Sequence, residues 1–292
     1  MELVYVMNHL NTEAKCISYL EKMRWNNQPE CPYCCSIKSS PKELRYTCLT
    51  CNSSYSVKVK TVFESSNLPL TKWFLAISLI LSAKKGISSL QLARDISVNK
   101  NTAWLLQLKI RNAMKTDELL SGLIEIDETY VGGLKKNRHH HKRQPKKDTV
   151  ITGYYDMKPV LGMLERSGKV IAKVMTKAWG NEIIPIMNKT INPNSTVITD
   201  GFGGYYYADE HFKEHQILNH TKRIYRKGDF HTNTIEGFWG ILKRSIIGQF
   251  HRINNSYLQN YVDEVAFKYN HRDLEDREFS ELLNQLLKLK LP

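Results

Sequence analysis

Two hydrophobic rhythms divide this chain of 292 residues. From Leu70 to Met114 apolar positions keep a helical period that breaks twice. Thr71 opens a first helix running to Ala83, and Ser88 or Ser89 opens a shorter one over LQLARDI (90–96). SVNK (97–100) makes a turn, and NTAWLLQLKIRNAM (101–114) continues as a third helix. Between about 117 and 275, runs of strand length take over: LIEID (123–127), TVITGYYD (149–156), PVLGMLE (159–165), KVIAKVM (169–175) and STVITD (195–200). The helical NEIIPIMN (181–188) precedes the last of them. TVITGYYD, PVLGMLE and KVIAKVM read as antiparallel strands, and a late helix covers TNTIEGFWGILKR (232–244). Strands interleaved with helices predict a mixed α/β sheet. At the C-terminal end, FSELLNQLLKLKL (279–291) has the pattern of an amphipathic helix that packs on its own chain.

Two to three modules suit this length. The rhythms place boundaries at 1–66, a helical module over 67–116, an α/β domain over 117–275 and a terminal helix over 276–292. The longest apolar stretch, WFLAISLILSA (73–83), has 11 residues, whereas a bilayer span needs roughly 20, so no membrane span is expected. MELVYVMNHL, at the start, carries no basic region ahead of an apolar run and does not read as a secretory signal, so an intracellular protein is expected. A formal charge of +13, from 42 Lys and Arg against 29 Asp and Glu, attracts polyanions, nucleic acid first among them. KKNRHHHKRQPKK (135–147) holds seven Lys or Arg in 13 positions and reads as a basic loop that grips phosphates, with Lys142 and Arg143 among its cations.

Five of the six cysteines fall between 31 and 51. CPYC (31–34) and CLTC (48–51) are knuckles separated by 13 residues, close to the spacing of a zinc ribbon in which Cys31, Cys34, Cys48 and Cys51 close a tetrahedron. Such a site has no open position, so its zinc is structural and stands in for a missing core. Cys35 directly follows a ligand position and reads as a bystander. The three helices after the ribbon, with a short polar turn before the last, resemble helix-turn-helix DNA readers. Lys100, Asn101 and Thr102 then lead the recognition helix toward base edges, while Lys109 and Arg111 meet phosphate.

Candidate chemistry lies in the α/β region. Side chains alternate across a strand, so Glu125 and Asp127 share one face and either acid can front a metal. Asp200 ends a strand and opens into GFGG (201–204), where a ligand can approach closely. Glu236 follows after 35 intervening residues, and Lys243 lies seven positions further along one helix. Asn233 and Glu236 fit a capping box, with Asn as cap and Glu three residues on. Asn233, Glu236 and Lys243 also share a helix face, because seven residues drift only about 20° from two full turns. Asp127, Asp200 and Glu236 offer the carboxylates of a two-metal site that cuts a phosphate backbone. The element order matches a ribonuclease-H-like layout, with an Asp on the first strand, another on the fourth and a carboxylate on a late helix.

With the ribbon and the helix-turn-helix in place, five motifs add up to a resemblance: EIDETYVGG (125–133), TDG (199–201), HTNTIEGFWGILKR (231–244), GQFHR (248–252) and YVDEVAFKYNHR (261–272). Over about residues 13 to 275 the chain resembles bacterial insertion-sequence DDE transposases, in the zinc-ribbon group related to eukaryotic Merlin elements. The resemblance implies that Asp127, Asp200 and Glu236 hold two Mg2+ or Mn2+ ions, with Asn233 in play as the third ligand. It also places Lys243, with Arg244 beside it, on DNA next to the cut. It implies cleavage at transposon ends and joining of the 3′-hydroxyl to target DNA. The implied partners are double-stranded terminal inverted repeats and target DNA, held by a homodimer or larger assembly in a bacterial cytoplasm or nucleoid, or in a nucleus if the host is eukaryotic. A non-catalytic DNA-binding regulator and a metal-dependent nuclease without strand transfer are the rival readings. His139, His140 and His141 sit in a charged loop rather than on a strand, which argues against a tyrosine-nucleophile enzyme built on Tyr205 to Tyr207. Those tyrosines are expected to cover a helix after Asp200.

Overall fold

The computed structural model describes residues 3–116, 118–132, 157–166, 168–218, 226–273 and 278–288. The chain divides into two compact units, Met1–Met114 with His271–Pro292, and Lys115–Asn270.

In the first unit, α1 (Leu3–His9) and α2 (Glu13–Trp25) precede the ribbon. Thr12 caps α2 by accepting from the Lys15 N–H at 3.3 Å, and Asn26, left-handed at φ 48°, closes it. β1 (Ser39–Lys42), β2 (Arg45–Cys48) and β3 (Ser54–Tyr55) form an antiparallel sheet in that order. These strands are too short to bury a core of their own. Trp25 supplies one, edge-on to Tyr46 and Tyr55 with ring centroids 5.9 Å away in each case. α3 (Leu70–Ser82) starts behind Pro69 rather than at Thr71, and buries Leu70, Trp73, Phe74, Ile77 and Ile80 at three- and four-residue steps. α4 (Ser89–Asp95) is capped by Ser88, which accepts from the Gln91 N–H at 3.1 Å. Ser97 turns the chain at φ 52°, and Asn99 caps α5 (Lys100–Ala113) by accepting from the Thr102 N–H at 2.8 Å. Polar N-caps thus reopen the helix at α4 and α5, where the apolar period breaks.

In the second unit, β4 (Leu123–Val131), β5 (Lys158–Glu165), β6 (Val170–Val174), β7 (Thr196–Asp200) and β8 (Glu214–Leu218) form one sheet in the order β6-β5-β4-β7-β8. β4, β5 and β6 pair antiparallel, whereas β7 pairs parallel with both β4 and β8. Helices cover both faces. Ile124, Ile126, Met163 and Val197 meet Ile183 and Met187 of α6 (Gly180–Thr190) on one side. Val160, Leu164 and Ala172 meet Ile235, Phe238 and Leu242 of α7 (Asn233–Ser245) and Val262 and Ala266 of α8 (Leu258–Asn270) on the other. A short hairpin, β9 (Arg226–Lys227) with β10 (Phe230–His231), feeds α7. α9 (Glu278–Lys288) belongs to the first unit, where it buries Phe279, Leu282, Leu283 and Leu286; Phe279 stands edge-on to Phe74 at 5.7 Å.

The mixed α/β sheet agrees with the sequence pattern, with Asp127 on its first described strand and Asp200 on its fourth. The segment after Asp200 differs from expectation. It forms two 3-10 turns, Gly203–Tyr205 and Ala208–Glu210, rather than a helix, since its three glycines favour no regular helix. The strand that follows, β8, is a sheet edge that opens on three polar residues, Glu214, His215 and Gln216, which leaves no hydrophobic alternation to read. TVITGYYD (149–156) and the basic loop 135–147 lie outside the described residues. Among the described residues no helix is long and apolar enough to cross a membrane.

Candidate active site

Strand register brings two of the three expected acids together. Parallel pairing sets Glu125 opposite Ile198. Two residues further along both strands, Asp127 comes level with Asp200 on the α7 side of the sheet. Asp200 is the last residue of β7, and its Oδ1 accepts from the Phe202 N–H at 2.9 Å, a turn that orients the carboxylate. Asp127 Oδ2 accepts from the Trp239 indole Nε1 at 2.9 Å. Glu236 stands exposed in the first turn of α7. Burial raises the Asp127 carboxyl above its ordinary value; the Trp239 bond opposes this, and the charges of Asp200 and Glu236 push it higher. None of the three acids forms an ion pair with a described Lys, Arg or His. They are spread more widely than the cysteine cluster, whose sulfurs all fall within 4.8 Å of one another.

Glu125, which shares the face of Asp127, has a different task. Its side chain is fully buried. Oε2 accepts from the backbone N–H groups of Thr234 at 2.9 Å and Ile235 at 3.1 Å. Oε1 accepts from Thr234 Oγ1 at 2.9 Å, Arg166 Nη2 at 2.9 Å and Arg166 Nε at 3.2 Å. These bonds correct the capping-box expectation. Asn233 is the first residue of α7 and exposed, and Thr232 before it makes no side-chain cap bond. The first-turn N–H groups are met from the sheet instead, because a strand carboxylate already points at the helix end. Glu236 is thereby left without a capping duty.

Glu128, the next residue on β4 after Asp127, points to the opposite face. The Tyr205 hydroxyl donates to its Oε2 at 2.5 Å. Burial raises the Glu128 carboxyl to about 7, with Asp200 and Asp127 adding to the rise against the Tyr205 bond. Tyr205 is therefore a buried partner of an acid rather than the cover of a helix, while Tyr206 and Tyr207 are exposed. Strand alternation put Glu125 beside Asp127 as an equal candidate for a metal and carried no signal for the role of Glu128, since neighbouring acids differ only in what folds against them.

Lys243 and Arg244 are exposed in the last turn of α7. Lys100 and Asn101 are exposed at the start of α5, with Thr102 and Lys109 half-buried. Arg111 departs from expectation. Only 1% exposed, it lies on the same buried side of α5 as Ala103, Gln107 and Ile110, so its guanidinium is not presented to phosphate. Lys142 and Arg143 lie outside the described residues.

In the ribbon, both knuckles repeat one backbone pattern. The Cys35 N–H bonds the Cys31 carbonyl and the Asn52 N–H bonds the Cys48 carbonyl, each at 2.9 Å. Cys35 (φ 59°) and Asn52 (φ 57°) occupy equivalent left-handed positions. That turn leaves the Cys35 side chain exposed and outside the cluster of Cys31, Cys34, Cys48 and Cys51. Backbone hydrogen bonds, from Cys51 first and then Thr50, hold the Cys48 thiol down at about 6, while the Cys34 thiol, against a backbone bond from Ser36, is pushed up by burial and the neighbouring sulfurs.

Residues 119–270, just over half of the chain, match the ISXO2-like transposase domain. The chain belongs to that transposase family. A second match, to the transposase zinc-ribbon domain, covers residues 11–54 of this transposase and so takes in all four clustered cysteines. A protein in the transposable element ISH50 of Halobacterium salinarum is 30% identical over 246 residues, 80% of this chain and 83% of its own. A transposase-like protein of Haemophilus influenzae is 26% identical over 120 residues, 41% of this chain and 94% of its own. Among solved structures, the Mos1 transposase paired-end complex with left transposon end aligns over 73% of this chain and 78% of that one. Its identity is 11% and its TM-score 0.29.

Proposed function

We propose that this transposase cuts DNA at the ends of its element and joins the freed 3′-hydroxyl to target DNA, with Asp127, Asp200 and Glu236 holding two Mg2+ or Mn2+ ions. One observation carries the reading: Asp127 and Asp200 stand level on adjacent parallel strands, beneath the helix of Glu236, with no described cation to neutralise them. Oxygen donors crowded closely enough that Asp200 and Glu236 raise the proton affinity of Asp127 suit a hard divalent ion. Glu236 is a better third ligand than Asn233 because its oxygens are anionic. Four thiolates at the ribbon suit a structural Zn2+.

Bound divalent ions would activate the attacking oxygen and neutralise charge on the leaving one. Side chains and backbone of this chain do the rest. The Phe202 N–H and the Trp239 indole hold the carboxylates of Asp200 and Asp127 in fixed orientations. Lys243 and Arg244, exposed on α7, meet the phosphates beside the scissile bond. In cleavage, a water oxygen bonds to phosphorus as the bond from phosphorus to the 3′-oxygen breaks, and that oxygen takes up a proton. In joining, the 3′-hydroxyl loses its proton and bonds to a target phosphorus as the bond from that phosphorus to the target's own 3′-oxygen breaks, and the leaving oxygen takes up a proton. The start of α5, with Lys100, Asn101 and Thr102, reads base edges, and Lys109 meets phosphate.

The test is incubation of the full-length protein with the terminal inverted repeats, a target plasmid and Mg2+. Cleaved ends and joined products are expected, with both lost in Asp200→Asn and Glu236→Gln while gel-shift binding of DNA persists. Cleaved ends that never yield joined products would reduce the function to that of a nuclease. Full activity in Glu236→Gln would move the third ligand to Asn233 or reject the site.

A further inference from the structure

We infer that Glu125 is a positioning residue for the acidic site: a clamp on β4 that fixes the register of α7 and so the place of Glu236 against Asp127 and Asp200. The inference rests on the metal-site reading above and adds what holds that site in shape. Glu125 binds Thr234 and Ile235 of α7, and Asp127 binds Trp239. The two acids are separated by two strand positions, about 7 Å. Their anchors on α7 are separated by four to five helical residues, a rise of about 6 to 7.5 Å. The spacings match, so both sets of bonds form together in one register only. A slip of one helical residue moves every anchor about 1.5 Å and turns it about 100°, which breaks both sets. Glu236 lies between the anchors.

Two further contacts close the clamp. Gly162 pairs with Asp127 across the sheet, and a Cβ there would lie 2.6 Å from the Trp239 ring, so glycine is what lets the indole reach the strand. Arg166 bonds Glu125 and also donates to the carbonyls of Asp229 at 2.5 Å and His231 at 3.1 Å, which ties the hairpin leading into α7 to the same carboxylate. His231 Nδ1 adds a contact with Glu125 Oε1 at 3.5 Å. The apolar face of α7 holds the helix on the sheet but tolerates small shifts, whereas directional bonds in a buried site do not. With five hydrogen bonds on its two oxygens, Glu125 is committed to the helix rather than to a metal.

The test measures Mn2+ binding to the full-length protein by calorimetric titration, alongside Mn2+-dependent cleavage, DNA binding and thermal unfolding. Glu125→Gln keeps the volume but loses the anion; Thr234→Val removes one bond without changing charge; Trp239→Phe keeps a ring but not the indole N–H. Asp200→Asn is the control on the metal reading itself. Loss of such supporting bonds typically weakens metal binding 10–100-fold. That range is expected for Glu125→Gln, with a smaller loss for the other two, unchanged DNA affinity, and cleavage restored by raised Mn2+. Folded variants that melt lower yet bind Mn2+ as the wild type does would overturn the inference. If Glu125→Gln does not fold, Thr234→Val and Trp239→Phe decide, and wild-type Mn2+ affinity in both would overturn it. Unchanged Mn2+ binding in Asp200→Asn would instead sink the metal reading on which the inference stands.

Discussion

Gly162 and Trp239 show how narrowly single residues define the site. Because an added Cβ would stand 2.6 Å from the indole, Gly162→Ala should cost roughly 1–3 kcal/mol, the usual range for overpacking. A lowered melting temperature and weakened cleavage are expected; wild-type melting would show that the ring yields freely. Glu128 adds a pH dependence to stability. Its folded value of about 7 lies above the ordinary 4.5, so the folded protein holds this proton more tightly. The resulting stability is complete below about pH 4.5 and is lost as pH rises through about 7. Glu128→Gln should remove that loss, giving a smaller fall in melting temperature from pH 5 to pH 8 without added divalent ion; the same fall in both proteins would reject the assignment. At this scale the sequence made Asp127 and Asp200 legible through strand position, and Glu236 through its distance from them. It left Glu125 and Asp127 interchangeable because strand alternation gives them one face. What separates them is a helix 109 residues away, which no local pattern reports. Arg111 failed for the opposite reason: a charged residue was read as surface although the helical period carries it inward.

On the zinc reading, the fold of the ribbon depends on its four cysteines more than on its apolar residues. Removing the metal, by chelation or by Cys48→Ser, should release Trp25 from its edge-on packing with Tyr46 and Tyr55. The expected readout is loss of one bound Zn2+ per chain together with a change in tryptophan fluorescence; a ribbon that keeps its fluorescence without metal would contradict a structural role. Cys35→Gly gives the converse, since a left-handed position costs a non-glycine residue about 1–2 kcal/mol. It should keep the zinc and raise the melting temperature. Elements with local signals were readable from sequence: the knuckles by spacing, α4 by a serine cap at 88 or 89, α5 by its apolar period after the SVNK turn, β4 and β7 by apolar runs. β8 was not, because an edge strand built from Glu214, His215 and Gln216 gains its place from β7 rather than from its own pattern. The start of α7 was misread because its cap comes from another element.

Over the whole molecule, charge sets a problem that the site alone does not solve. On the proposed function, the acids Asp127, Asp200 and Glu236 would act on a polyanion, within a chain of net charge +13. Attraction has to come from cations placed elsewhere, and Lys243 and Arg244 supply only two of the 42 Lys and Arg. Residues 135–147 hold seven more in 13 positions, only eight residues after Asp127 in the chain. Each phosphate contact contributes about 0.9 to the slope of log binding constant against log salt. Replacing Lys142, Arg143, Lys146 and Lys147 with Gln should flatten that slope by up to about 3.6 and weaken binding about equally on element ends and on unrelated DNA. Asn101→Ala should do the reverse, reducing the preference for element ends and leaving the slope almost unchanged, because a base-edge contact releases no counterions. A loop variant with the wild-type slope would mean that these cations face solvent in the complex, and the attraction would then have to come from the helical module and α7.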